Sequence, residues 1–154
     1  MIIAEDTRNQ IGKHKYKNDW FKKHNIEVVR TKLYCGDYSL LTNQSICIDT
    51  KQDWVEVASN ICGKQHERFR NECIRAKMGS IRLVILVEDK LPLKEWKSPT
   101  NRKGKPYTLV KSETLQKCIK TMSERYGVEF VWAVKEEAPK KICEILGVDY
   151  ETND

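Results

Sequence analysis

Short runs of β-branched and other apolar residues alternate with segments of helical period along this chain, and that alternation restricts it to a mixed α/β architecture. Strands are expected at residues 2–5, 26–33, 38–41, 45–49, 81–88 and 128–133. Between Lys13 and His24, Tyr16, Trp20 and Phe21 recur on one stripe and make a first helix. Trp54, Val55, Val57, Ala58 and Ile61 make a second. A third spans 66–78, with Phe69, Cys73 and Ala76 inward and Arg68, Glu72 and Arg75 outward. A fourth opens at Ser112, runs to about Arg125 and stops at Gly127, and the last runs from Ala138 to Leu146 with Gly147 as its stop. The one long irregular stretch, 91–110, carries Pro92, Pro99, Gly104 and Pro106. Loops of that length inside a domain are usually functional or mobile.

At 154 residues and 40% apolar content the chain can bury one core without disulfide or metal staples, so residues 1–154 read as a single domain. Lys and Arg number 28 against 22 Asp and Glu, a net charge of +6 that would attract a polyanion. Cys35, Cys47, Cys62, Cys73, Cys118 and Cys143 form no CxxC pair, and most have apolar neighbours. They read as small buried hydrophobes of a reducing compartment. His14, His24 and His66 have no zinc-type spacing. The opening Ile2-Ile3-Ala4 is too short for a secretory core, and no apolar run approaches a membrane span. A cytoplasmic, nucleoid-associated protein with no membrane partner is expected.

The densest chemistry lies in 36–51, GDYSLLTNQSICIDTK. If Thr42-Asn43-Gln44 is a tight turn, strand alternation puts Asp37, Ser39, Leu41, Ser45, Cys47, Asp49 and Lys51 on one face. Tyr38, Leu40, Ile46, Ile48 and Thr50 take the other, core-seeking face. Asp37 and Asp49 then fall opposite one another with Cβ atoms about 5 Å apart. Like charges at that distance repel, and a hard divalent cation with oxygen ligands resolves the conflict. Lys51 projects into the same space. Acid, acid and amine at one strand end suit phosphodiester hydrolysis, although acid-x-Lys also occurs on exposed strands that do no chemistry.

Gly36-Asp37-Tyr38 and Asp49-Thr50-Lys51, after an opening Ile3-Ala4-Glu5-Asp6-Thr7-Arg8, resemble the nuclease domain of the XPF family in the PD-(D/E)XK superfamily. The resemblance implies a restriction-endonuclease-like α/β core, a mixed central sheet flanked by helices on both faces. It implies Mg²⁺ or Mn²⁺ held by Asp37, Asp49 and the carbonyl of Thr50, with Lys51 positioning the attacking water. By the same resemblance Asp6 holds a second metal or its water, and Arg8 and Arg68 contact the phosphate. Arg68 could equally pair with Glu72 on a solvated face. Three positions depart from the family: Asn9 and Asp49 stand where it has Glu, and Thr50 where it has Arg. The superfamily pattern allows the Asp, whereas Asn9 removes an outer carboxylate. Many members continue into a tandem helix-hairpin-helix domain, and none is expected here. Leu86-Val87-Glu88-Asp89, Trp96 and Ser123-Glu124-Arg125-Tyr126 resemble instead the short, stand-alone proteins of phages and prophages. Homodimers are also implied.

Lys94, Lys97, Arg102, Lys103, Lys105 and Lys111 crowd one loop, with Trp96 and Tyr107 interleaved. Cations track phosphates and aromatic rings stack on bases, so this composition suits a strand-gripping loop, and it also suits a merely solvated charge run. The expectation is a metal-dependent DNA endonuclease, structure-specific for branched, flapped or junction DNA in recombination or repair. The rival is a catalytically silent DNA-binding or scaffolding subunit, and the motif admits RNA as well as DNA.

Overall fold

Successive side chains of β4 (Ile46–Lys51) enter two different cores, because helices cover both faces of the sheet to which it is central. The computed structural model describes residues 1–63 and 66–151. In it β1 (Ile3–Asp6), β2 (Val28–Thr31), β3 (Tyr38–Leu40), β4, β5 (Arg82–Val87) and β6 (Glu129–Trp132) form one sheet in the order β2-β1-β3-β4-β5-β6. β3 runs antiparallel to both neighbours, and the other pairs are parallel. This is the mixed α/β sheet expected from the sequence.

One face, with Ile3, Tyr38, Ile48, Val84 and Leu86, packs on Phe21 of α1 (Lys15–Lys23) and on Ala138, Ile142, Cys143 and Leu146 of α5 (Ala138–Leu146). The opposite face, with Cys47, Leu83, Ile85 and Val87, packs on α2 (Trp54–Cys62), α3 (His66–Met78) and α4 (Ser112–Tyr126). The face carrying Asp49 and Lys51 is therefore also a core face, and its acids lie where that core ends.

Strand lengths follow their partners. β2 is shorter than the 26–33 expected, because β1 runs out at the Asp6↔Thr31 pair and the next free N–H, that of Leu33, donates to the Asp6 side chain instead. β4 runs on to Lys51 because β5 keeps pairing it as far as Lys51↔Val87. Asp53 caps α2 by accepting the Glu56 N–H at 2.8 Å, and the Glu56 side chain accepts from the Gln52 N–H. Among the cysteines Cys35, Cys47, Cys73 and Cys143 are buried as expected. Cys62 is exposed, 3.7 Å from Cys118 across the α2–α4 contact, because it sits on the last turn of α2 beyond the core.

Candidate active site

Gly36 lets the chain press against β4. Its φ of +75° is open to glycine, and a Cβ there would lie 2.9 Å from the carbonyl oxygen of Ile48. The approach delivers Asp37, whose N–H donates to that same oxygen at 2.7 Å. The Asp37 carboxylate accepts from the N–H and the hydroxyl of Thr50, both at 2.8 Å, and from the Asn9 amide at 2.9 Å. Burial alone would raise this carboxyl, but the hydrogen bonds from Thr50 and Asn9 outweigh it and hold the group below the usual value. Asn9 thus supplies a donor to Asp37 at the position where the family has an acid.

The register Tyr38↔Ile48 sets Asp37 opposite Asp49, as the folded segment requires. Burial drives the Asp49 carboxyl well above its ordinary value, and the charges of Glu72 and Asp37 push the same way against Lys51. A hydrogen bond with Asp37 also favours its protonated form. The Lys51 ammonium lies 3.1 Å from Asp49 Oδ2, 3.2 Å from Asn60 Oδ1 and 5.6 Å from the centre of the Phe69 ring. Burial would lower this amine, yet Asp49, Glu56 and Glu72 together hold it above its usual value and cationic.

These groups open onto a cleft of about 1000 Å³ lined by Asp6, Arg8, Asp37, Asp49, Thr50, Lys51 and Arg68. Every catalytic and metal candidate read from the sequence is there, with both proposed phosphate-binding arginines. Asp6 is committed within the protein: it accepts from Arg8 Nε at 2.6 Å and from the Leu33 N–H at 3.0 Å. Arg68 and Arg75 are exposed as expected and Glu72 is half-buried; all three line the cleft, and among the described residues Arg68 and Glu72 make no ion pair. Glu72 and Asn60 were missed in the sequence. Glu72 shares a helix face with Arg68 at i,i+4, which was a readable signal, whereas Asn60 looks like any polar residue of an amphipathic helix.

The donors suit Mg²⁺ or Mn²⁺. No three His, Cys, Asp or Glu side chains converge among the described residues, but Mg²⁺ is commonly bound by one or two carboxylates, with waters and substrate phosphate completing its shell. Two apposed acids provide that kind of half-site, and the cleft has room for the waters.

Lys94, Lys97, Arg102, Lys103 and Lys105 lie outside the cleft, all exposed. Trp96 corrects the sequence reading: it is 3% exposed and packs in the core beneath α2 and α4, so it offers no ring to a base, while Tyr107 remains exposed. The loop is folded at its tip, where Thr100 bridges Pro106 and Asn101 Oδ1 accepts the N–H groups of Lys103 and Lys105. Among the described residues no helix is long and apolar enough to cross a membrane.

Comparison with known structures places this geometry. XPF from Aeropyrum pernix in complex with DNA superposes with a TM-score of 0.66 at 16% identity, over 95% of this chain and 63% of that one. A second structure of XPF from Aeropyrum pernix gives 0.67 at 15% identity, over the same 95% and 63%. The chain thus spans less than two thirds of the length of these structures, and the likeness is one of fold, restriction-endonuclease-like with a mixed sheet between helices. No curated protein matches the sequence significantly. The ERCC4 domain matches residues 5–144, nearly the whole chain, and the protein belongs to the ERCC4 domain family.

Proposed function

We propose that the protein is a divalent-metal-dependent endonuclease that hydrolyses phosphodiester bonds in branched, flapped or junction DNA. The observation that carries this reading is the convergence of Asp37, Asp49 and Lys51 on one strand end, open to a cleft walled by Arg8, Arg68 and Arg75. DNA as substrate is supported by the family and by the DNA-bound relative of the same fold.

Asp37 and Asp49, with the Thr50 carbonyl, would hold the Mg²⁺ or Mn²⁺. When bound, that ion would polarise the scissile phosphate and acidify a coordinated water. Bound there, the ion would favour the charged form of Asp49 over the protonated form that burial favours. Lys51 orients the attacking water and steadies negative charge on the phosphate as the new P–O bond forms and the old one breaks. The water's proton leaves through the open cleft to solvent, and the departing oxygen takes up a proton from a water in the same cleft. Arg8, aimed by Asp6, and Arg68 neutralise the non-bridging oxygens. Lys94, Lys97, Arg102, Lys103 and Lys105 then contact DNA beyond the cleft.

The test is cleavage of flapped and branched DNA with Mg²⁺ by the wild type and by Asp49→Ala. Cleavage by the wild type alone is expected; equal cleavage by both removes the proposed site. The rival reading, a silent DNA-binding subunit, draws on the way Thr50 and Asn9 already satisfy Asp37. Calorimetric titration with Mn²⁺ separates the two, since a scaffold has no use for the ion at this strand end.

A further inference from the structure

Lys51 is a lysine with four rotatable bonds, and an unsupported ammonium at the end of such a stem loses its position readily. Its surroundings remove that freedom from three sides. Asp49 faces it at 3.1 Å, the Phe69 ring lies below it at 5.6 Å, and the Asn60 side-chain oxygen faces it at 3.2 Å. Asp49 is the least dependable of these as an anchor, because it is also the acid that would turn toward a cation. Asn60 is fixed independently of the chemistry. It is 7% exposed, and its Nδ2 donates to the carbonyl of Glu56 one helical turn back at 2.5 Å. That bond also settles which way the amide faces, with the oxygen toward the amine. α2 is itself anchored by the Asp53 cap and by Trp54, whose N–H donates to Asp89 and whose indole donates to the Leu91 carbonyl.

We propose that Asn60 is the positioning residue of the site: its carbonyl oxygen holds the Lys51 ammonium where it can orient a water, independently of whether Asp49 is occupied by a metal. The proposal rests on the nuclease reading for its catalytic consequence but not for its structural one. Asn60 lines the cleft with its amide spent on Lys51 and on the Glu56 carbonyl, so its removal should lower turnover and leave the binding steps alone. A displacement of a positioned group by about 1 Å commonly costs up to about 100-fold in rate.

The experiment compares Asn60→Leu and Asn60→Asp with the wild type, with melting temperature as the check on folding. Asn60→Ala replaces the leucine variant if the larger side chain disrupts α2. Four readouts are taken: kcat and KM on flapped DNA, Mn²⁺ affinity by calorimetry, and the Lys51 ammonium signal of protein labelled with ¹⁵N-lysine. Asn60→Leu should lose about 10- to 100-fold in kcat with KM and Mn²⁺ affinity within about twofold, and its Lys51 signal should broaden through faster exchange with water. Asn60→Asp keeps an acceptor facing the amine but loses the donor to the Glu56 carbonyl, so its signal and turnover should fall between those of the wild type and of Asn60→Leu. Wild-type kcat with an unchanged Lys51 signal in Asn60→Leu overturns the proposal, as does equal impairment in the leucine and aspartate variants. If the wild type cleaves nothing while the signal still depends on Asn60, the nuclease reading fails and the positioning of the amine stands.

Discussion

Asp37 accepts both the main-chain N–H and the hydroxyl of Thr50 at 2.8 Å, so a side-chain carboxylate does the work of a strand carbonyl at the point where β3 begins. The same group is thus a structural acceptor and a candidate metal ligand, and the two roles can be pulled apart by mutation.

Asp37→Ala should leave the buried Thr50 N–H without a partner and cost about 1–3 kcal/mol. Since the native carboxyl lies below its ordinary value of 3.8, its contribution is fully present above that value and is lost as pH falls through the native one. Urea unfolding of the two proteins from pH 7 down to pH 3 checks this: the gap between them should close toward the acid end.

Asp49 has the opposite sign. Its carboxyl is raised in the folded protein and ionises at 3.8 when unfolded, so metal-free stability falls as pH rises from there through the raised value. Asp49→Asn removes that loss. In EDTA the stability of Asp49→Asn relative to the wild type should therefore rise as pH rises from about 4 to about 7.5, and only the wild type should be stabilised by added Mn²⁺. Thermal melts with and without the ion read both effects.

His14 is 4% exposed, its ring lies against Tyr38 at 5.3 Å, and its Nε2 has no partner among the described residues. Burial lowers it from 6.5 to about 4, opposed by Asp37 and Glu5 and assisted by Lys17 and Lys13. Unfolding therefore takes up a proton between these values, and stability drops as pH falls from 6.5 to 4. His14→Phe should flatten that part of the profile and raise the melting temperature at pH 5; an unchanged slope assigns the loss to other groups.

Gly36→Ala should cost of order 1–3 kcal/mol, from the left-handed backbone and the 2.9 Å contact with Ile48. Because the residue that moves is the neighbour of Asp37, Mn²⁺ affinity should fall with it. Calorimetry and denaturation on one preparation show whether the two losses travel together.

If the six bases of the loop that carries Lys94, Lys97, Arg102, Lys103, Lys105 and Lys111 all meet phosphates of a single strand, log K falls with log salt at a slope of about −4. Replacing Arg102, Lys103 and Lys105 by alanine should flatten the slope by about 2. An unaltered slope in a salt series of binding isotherms takes these side chains off the DNA.

The sheet and both helical layers were legible because their signals are local. β4 with its neighbours is a β-branched run, and each of the five helices carries a stripe of helical period. The acids and Lys51 were legible for a related reason, since alternation along two paired strands fixes which side chains share a face. What escaped depends on contacts distant in sequence. Glu72 is half-buried because α3 packs over the strand ends, and the burial of Trp96 depends on the core that the sheet forms with α2, α3 and α4. Asn60 acquires meaning only once a helix brings it to Lys51, nine residues back in the chain.

The basic loop has its feet set in the fold, one by Trp96 in the core and the other by Ser112, whose hydroxyl donates to the Leu93 carbonyl. Its tip is a self-contained fastening of Asn101 on Lys103 and Lys105. Residues 101–105 therefore behave as an exchangeable cassette: a graft of other composition there should leave sheet, cleft and acid pair as they are.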